Sequence, residues 1–553
     1  TILIFYVEYK NIFDHLLMKC FYYFLFAILF NLPLFAQESL NSDSLISDFE
    51  YFTRLLETTQ PDPYSGFGGK VFFYEKAYNI KNTLKKQSCN IQEFWNLSMA
   101  FLSNIQDSHT YLNDINSPKE NQKFLPIKLK PITDRLVVQE LPIQYENLLG
   151  STLIGINGKC FSELLSLTAQ HYACENLYDQ YYKLSRFIPD AEFIKQLFPN
   201  TKDSVCFNLL TVDKKSVSLK LPFMSLSKGT LDIESATLPD SNVFPKEQLA
   251  YDFIDDKAQI MFVKINSINA KDNFEFMYQN GWNFYSQLSY YYKGVLQKDI
   301  PNDTIKAIQG LSSFSEVFSE LLNKMKENQS STLIIDLRGN GGGWTPITLP
   351  TLYQLFGDKY LEADLQTKYY RLISPLYLQK INMSLENFNK QYLMNYRLGD
   401  YTFDGDTDYI SKSIIEKRNS FIFNCMSSDK EELEKMNGVP IYTPKNIFVL
   451  MNDETFSAAF HYAFFLWRMG ATIVGIPCRQ APNTYMEQTP FELPYTRLKG
   501  SISNSIQIFL PGKDKRAKIF YPDVVLSYED YKKYNFDKQS EIMFLLDYIK
   551  DLH

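Results

Sequence analysis

Apolar positions along this chain follow two rhythms. Short unbroken runs read as buried strands: 259–265, Leu333-Ile334-Ile335 and Ile447-Phe448-Val449-Leu450-Met451. Helical spacing over 314–325 leads into the second run. After the third, a polar turn, Asn452-Asp453-Glu454-Thr455, opens an apolar helix over about 456–469. Strands alternating with helices predict an α/β core over about 250–535. Upstream, helical patterns dominate from about 38 to 124, broken by the loop Pro61-Asp62-Pro63-Tyr64-Ser65-Gly66. One of these helices starts with a capping box, Asn90 to Glu93, and carries Phe94, Leu97, Phe101 and Ile105 on one face. Short strands then fill 125–225: Ile127-Lys128-Leu129, Leu136-Val137-Val138 and Ser151 to Ile156, followed by the turn Asn157-Gly158 and a helix over 161–171. Two long stretches inside the core, about 275–310 and 360–440, lack a clear period and read as insertions.

The chemistry concentrates where two strands end. Leu333-Ile334-Ile335 runs into Asp336-Leu337-Arg338-Gly339-Asn340-Gly341-Gly342-Gly343, a strand entering a glycine-rich turn. Glycines let backbone N–H groups converge on one point without a side chain in the way. No Gly-Lys-Ser/Thr follows, so the turn is not a phosphate loop. Ser457 opens the helix after the last strand, where helix-start amides and the helix dipole favour developing negative charge. A serine at a helix start beside a nest of amides is what acyl transfer needs. The pattern points to a serine hydrolase.

The segments Asp336 to Gly343 and Thr455-Phe456-Ser457-Ala458-Ala459 resemble the tail-specific (C-terminal processing) and tricorn-core family of serine peptidases. The resemblance implies an α/β core like that of ClpP and crotonase, an N-terminal helical domain (38–124) and a PDZ-like β-rich module (125–225). It also implies Ser457 as nucleophile, with an oxyanion hole from Ala458 N–H and an amide of Gly341 or Gly342. Residues 150–159 resemble the strand-turn segment of PDZ-like modules, which bind peptide ends by strand addition.

The family has two ways to activate its serine. One branch uses a lysine about 25 residues downstream, but Ile473 to Ala481 holds none, and Arg479 does not deprotonate near neutral pH. The tricorn-like branch uses an upstream histidine, and Asp107-Ser108-His109-Thr110 is similar to its motif, which makes His109 the candidate base. His461 competes, because it lies one helical turn after Ser457 and leans toward it. For the third member the resemblance implies a glutamate shortly before Tyr521-Pro522-Asp523-Val524; none is present there, and Asp514 and Glu487 are the candidates.

Composition narrows the rest. At 553 residues the chain exceeds one core and implies several domains. A net charge of −7 leaves no basic footprint for nucleic acid. Residues 1–36 read as an upstream mis-start plus a signal peptide, with Met18-Lys19, an apolar run and Ala36-Gln37-Glu38 at a cleavage point. The run is too short and broken for stable membrane insertion, so the expectation is an exported protein, periplasmic or extracellular. Six cysteines follow the signal, Cys89, Cys160, Cys174, Cys206, Cys425 and Cys478, sparse enough to read as buried free thiols. No cofactor or metal is expected: histidine and cysteine spacing fits no metal site, and the acidic run Asp404 to Asp408 fails the calcium-loop spacing. The expected partner is a peptide or protein substrate, with homo-oligomers common on this fold. The rival reading is a catalytically inactive protein of the same fold that binds peptides or apolar ligands.

Overall fold

In the computed structural model, residues 41–551 are described apart from 114–121, 228–229, 232, 242–243, 364, 366 and 405–410. The expected signal peptide and most of the acidic run after Asp404 therefore lie outside the described residues.

The apolar runs build a six-stranded sheet in the order Tyr251–Phe253, Ile260–Lys264, Thr332–Asp336, Asn446–Met451, Thr472–Gly475, Val524–Val525. The first pair is antiparallel and the others are parallel. Side chains alternate between its faces with the strand period of two. Leu333, Ile335, Val449 and Met451 pack beside the helices Phe314–Asn328 and Ala458–Arg468. Ile334, Phe448, Leu450 and Val474 pack on the other side, with Leu545 and Ile549 of the C-terminal helix Ser540–Asp551. Burial on both faces explains why these strands appear as continuous apolar runs rather than alternating ones.

N-terminal to this core, the helices Ser42–Thr59, Lys70–Lys86 and Ile91–Leu102 pack together. The capping box is formed in both directions: Glu93 N–H donates to Asn90 at 2.9 Å, and Asn90 N–H to Glu93 at 2.8 Å. Next comes a seven-stranded antiparallel sheet, with Arg135–Pro142, Thr152–Ile156 and Ser204–Leu210 at its centre. The helix Phe161–His171 falls where expected. Two more, Leu177–Phe187 and Ala191–Leu197, complete the link to Ser204.

Both insertions are ordered by aromatic packing. The first holds the helices Lys271–Gln279, Tyr285–Tyr290 and Thr304–Gln309 around a small core of Phe274, Phe284, Leu288 and Tyr291. The second contributes strands Lys368–Leu372 and Tyr401–Asp404 to a sheet built on the long hairpin Asn483–Glu492 and Lys499–Ile508. On the same sheet Tyr111–Leu112 pairs with Ser501 and Gly500, and Ser503 N–H donates to Thr110 Oγ1 at 3.0 Å. Through this pairing the N-terminal helical region delivers its histidine to the core.

All six cysteines from Cys89 onward are free thiols, but only Cys174 and Cys478 are buried, which corrects the uniform burial expected. Among the described residues no helix is long and apolar enough to cross a membrane.

Candidate active site

Ser457 is the N-cap of the helix Ala458–Arg468, at φ 54° and ψ −126°. A non-glycine residue held at positive φ stores strain that the surroundings must over-determine, as in the strand-to-helix elbows that expose nucleophiles. The surroundings here do so. Thr455 Oγ1 donates to Leu337 O at 3.0 Å, Phe456 N–H to Asn340 O at 3.0 Å, and Ser457 N–H to the buried Gln480 side chain. Asn452 Oδ1 accepts from Gly339 N–H at 3.0 Å and from Glu454 N–H at 3.2 Å. The Ser457 turn and the glycine loop are thus one cross-linked unit.

The glycines are required by contact. At Gly342, where φ is +103°, an added Cβ would lie 2.7 Å from both Ser457 Cβ and Phe456 O, and 3.0 Å from Ala458 N. At Gly343 it would lie 2.0 Å from Ile268 O. Gly342 N–H donates to Asn340 Oδ1 at 2.9 Å and is committed within the loop. Among the described residues the Gly341 and Ala458 N–H groups have no such partner. The loop is anchored at its start by Arg338, whose guanidinium donates to both Asp336 oxygens at 2.9 and 2.8 Å and to Glu541 at 2.6 Å. Burial alone would raise the Asp336 pKa, yet Arg338 and Lys264 hold it down at about 2.

His109 is 3% exposed, and its ring stacks on Phe456, the residue before Ser457, at 4.5 Å between centroids and 17° between planes. The loop that holds it is tied by Asp107, which accepts from His109 N–H at 2.9 Å and from the Thr110 hydroxyl. His109 Nδ1 lies 3.4 Å from Glu175 Oε1 and 3.9 Å from Asp107 Oδ1. Among the described residues neither imidazole nitrogen has a hydrogen-bond partner. The other edge of the ring, Nε2, therefore keeps its capacity for an incoming group.

Glu175 is the residue that sequence reasoning missed. It sits in the loop between the helices Phe161–His171 and Leu177–Phe187, and its side chain is buried. Its N–H donates to Asp179 at 3.0 Å, and its Oε2 accepts from Ala481 N–H at 3.0 Å. The neighbouring Asn176 caps the second helix through Asp179 N–H while its amide donates to Cys478 O and Lys518 O, at 3.3 and 3.2 Å. The loop is thereby docked on the segment after the Thr472–Gly475 strand. The helix cap Asn176 was the only local signal, and it marks a helix start rather than a carboxylate partner.

The two carboxylates expected from sequence lie in other environments. Asp514 caps a short turn and bonds Arg516 at 3.3 and 3.1 Å, which lowers its pKa. Glu487 is half-exposed and faces Arg371 and Lys380 at 4.0 and 3.7 Å. No ion pair joins either to His109 among the described residues. His461 is buried with both nitrogens engaged: Nδ1 with Thr345 Oγ1 at 2.8 Å and Nε2 with Gln507 Oε1 at 2.6 Å. Gln507 Nε2 donates to Pro482 O at 2.9 Å, which fixes its oxygen toward the histidine. Nε2 then carries the proton and Nδ1 accepts from Thr345. Burial lowers the His461 pKa to about 3, so it stays neutral with no free lone pair for proton abstraction. Burial also pushes the Cys174 and Cys478 thiols up to about 12, so neither is a nucleophile at neutral pH.

A strained serine on a strand-to-helix turn, braced by a glycine loop, belongs to a serine-type peptidase. Residues 305–501, about a third of the chain, match the model of peptidase family S41. No curated protein matches it. Among solved structures, mature CPAF complexed with lactacystin is similar at 13% identity, over 92% of this chain and 99% of that one, with a TM-score of 0.54. A CPAF mutant is similar at 14% identity, over 92% and 98%, with a TM-score of 0.53. The photosystem II D1 C-terminal processing protease aligns at 12% identity over 88% and 94%, with a TM-score of 0.37. At these identities the CPAF likeness shows a common fold. The family match includes the glycine loop and Ser457, while His109 and Glu175 lie outside it.

Proposed function

We propose that the chain hydrolyses peptide bonds through an acyl-enzyme on Ser457, with His109 as general base and Glu175 as its positioning carboxylate. The observation that carries this reading is the seat of His109: its ring rests on Phe456, next to Ser457, and Nδ1 faces Glu175 at 3.4 Å. With the Nδ1 proton directed at Glu175, the Nε2 lone pair is left to take the Ser457 proton. Glu175 then stabilises the imidazolium that forms. As the carbonyl oxygen becomes an anion, the Gly341 and Ala458 N–H groups serve as its donors, neither being committed elsewhere among the described residues. His109 returns its proton to the leaving amine, and water repeats the sequence to release the acyl group. The core is read as ClpP/crotonase-like and the β-rich region as PDZ-like, a candidate site for peptide ends. Residues 18–36 are read as an export signal, which would deliver the enzyme outside the cytoplasm.

A fluorophosphonate probe on the purified mature chain tests the reading. Labelling is expected at Ser457, located by mass spectrometry, and lost in Ser457→Ala and His109→Ala but retained in His461→Gln. Undiminished labelling in His109→Ala would refute the assigned base. A folded chain that takes no label but captures peptides would instead support the inactive binding protein.

A further inference from the structure

We propose that Asp107, His109 and Glu175 form a binding site for a zinc-like divalent cation, and that its occupation switches the peptidase off. The inhibitory part rests on His109 being the base; the binding part does not.

Three observations carry it. One ligand atom from each residue lies within 4.8 Å of the others. The set of one imidazole nitrogen and two carboxylate oxygens suits zinc or another borderline divalent ion. Bonds of about 2.0–2.1 Å in tetrahedral geometry put neighbouring ligand atoms ~3.3 Å apart. His109 Nδ1 and Glu175 Oε1 are already 3.4 Å apart, and Asp107 Oδ1, 3.9 Å from Nδ1, needs only a small movement.

The second observation is unmet bonding capacity. His109 Nδ1 and Glu175 Oε1 are buried and lack a hydrogen-bond partner among the described residues, and both face this point. Buried polar atoms in folded proteins are almost always paired, so two facing orphans mark a place for a guest or a moving proton. The third is charge. Asp107 and Glu175 are buried together, and among the described residues no lysine or arginine forms an ion pair with either. Their ligand oxygens lie within 4.8 Å of one another, where two carboxylate charges repel. A dication would relieve that repulsion more fully than a single proton can.

The consequence follows from imidazole chemistry. A neutral ring has one N–H and one lone pair. When a cation takes the Nδ1 lone pair, the ring proton moves to Nε2, and no proton is gained or lost. Nε2 then presents an N–H to Ser457 rather than a lone pair, so it cannot accept the hydroxyl proton. The orientation that prepares His109 for catalysis is the one a cation would capture.

Binding is separable from activity by working on the Ser457→Ala chain. After removal of metals, Co2+ titration is expected to saturate at one equivalent, with visible absorption bands of a four-coordinate nitrogen–oxygen site. Adding His109→Ala should abolish the bands. Adding Glu175→Gln or Asp107→Asn should weaken binding by about tenfold or more, since losing a ligand costs at least what losing an outer partner does. Circular dichroism checks that each variant is folded. In the active chain one equivalent of Zn2+ should suppress hydrolysis, and a chelator should restore it. No stoichiometric binding, or binding unchanged in the His109→Ala background, overturns the site. Site-specific binding with full hydrolysis overturns the inhibitory role and leaves the site standing.

Discussion

Three side chains define the proposed chemistry, and they differ in how far the sequence revealed them. Ser457 was visible because its neighbours are local: a strand of apolar residues, a polar turn and a helix follow one another without interruption. His109 was visible only through its motif, since what seats it, the face of Phe456, is remote in sequence. Glu175 had no local mark. Its partners are His109 and Ala481, and only folding brings those together. Asp514 and Glu487 were reasonable by position, yet each already has a cationic neighbour. A direct comparison follows from this. Glu175→Gln should lower kcat by about a hundredfold or more, in line with loss of an orienting carboxylate, whereas Asp514→Asn and Glu487→Gln should stay near the parent. Steady-state kinetics on one peptide substrate separate them.

At the scale of elements, the parallel strands were legible because burial on both faces leaves them uniformly apolar. The insertions were not, because their aromatic residues pack around local centres such as Phe274 and Phe388 and blur any single period. The Ala458–Arg468 helix adds a pH dependence of its own through His461. A histidine in the unfolded chain titrates near 6.5, whereas buried His461 is held at about 3. Between those values the unfolded chain binds the extra proton, so this group's contribution to stability declines as pH falls below 6.5 and levels off near 3. At pH 5 the loss amounts to about 2 kcal/mol. Thermal melts from pH 7 to pH 5 should therefore show a decline in Tm that is smaller in His461→Gln.

For the whole molecule, the Arg338 network ties the end of the central sheet to the C-terminal helix. Arg338 joins Asp336 to Glu541, Lys130 reaches Glu541 at 3.4 Å from the β-rich region, and the Tyr531 hydroxyl donates to it at 2.9 Å. Burial is compensated here by charge: Glu541, like Asp336, is held below its ordinary pKa despite full burial, by Lys130 and Arg338. Removing Arg338 would leave each of these buried carboxylates with a single lysine, Lys264 at 3.3 Å for Asp336 and Lys130 at 3.4 Å for Glu541, and breaking such a network costs up to about 3–5 kcal/mol. Arg338→Met is thus expected to lower the urea midpoint markedly, and to loosen the glycine loop that starts one residue later.

The pairing of Tyr111–Leu112 with the Lys499–Ile508 strand carries a further meaning for the life of the polypeptide. In the proposed site His109 is synthesised first, Ser457 much later, and the strand that pairs next to His109 later still. Until Ser501 and Gly500 have emerged and zipped onto that short strand, His109 lacks one of the ties that hold it beside Phe456. On the proposed function, a nascent or partly unfolded chain is expected to be inactive, as is a proteolytic fragment ending before the hairpin. On that reading, completion of the fold is itself the safety catch.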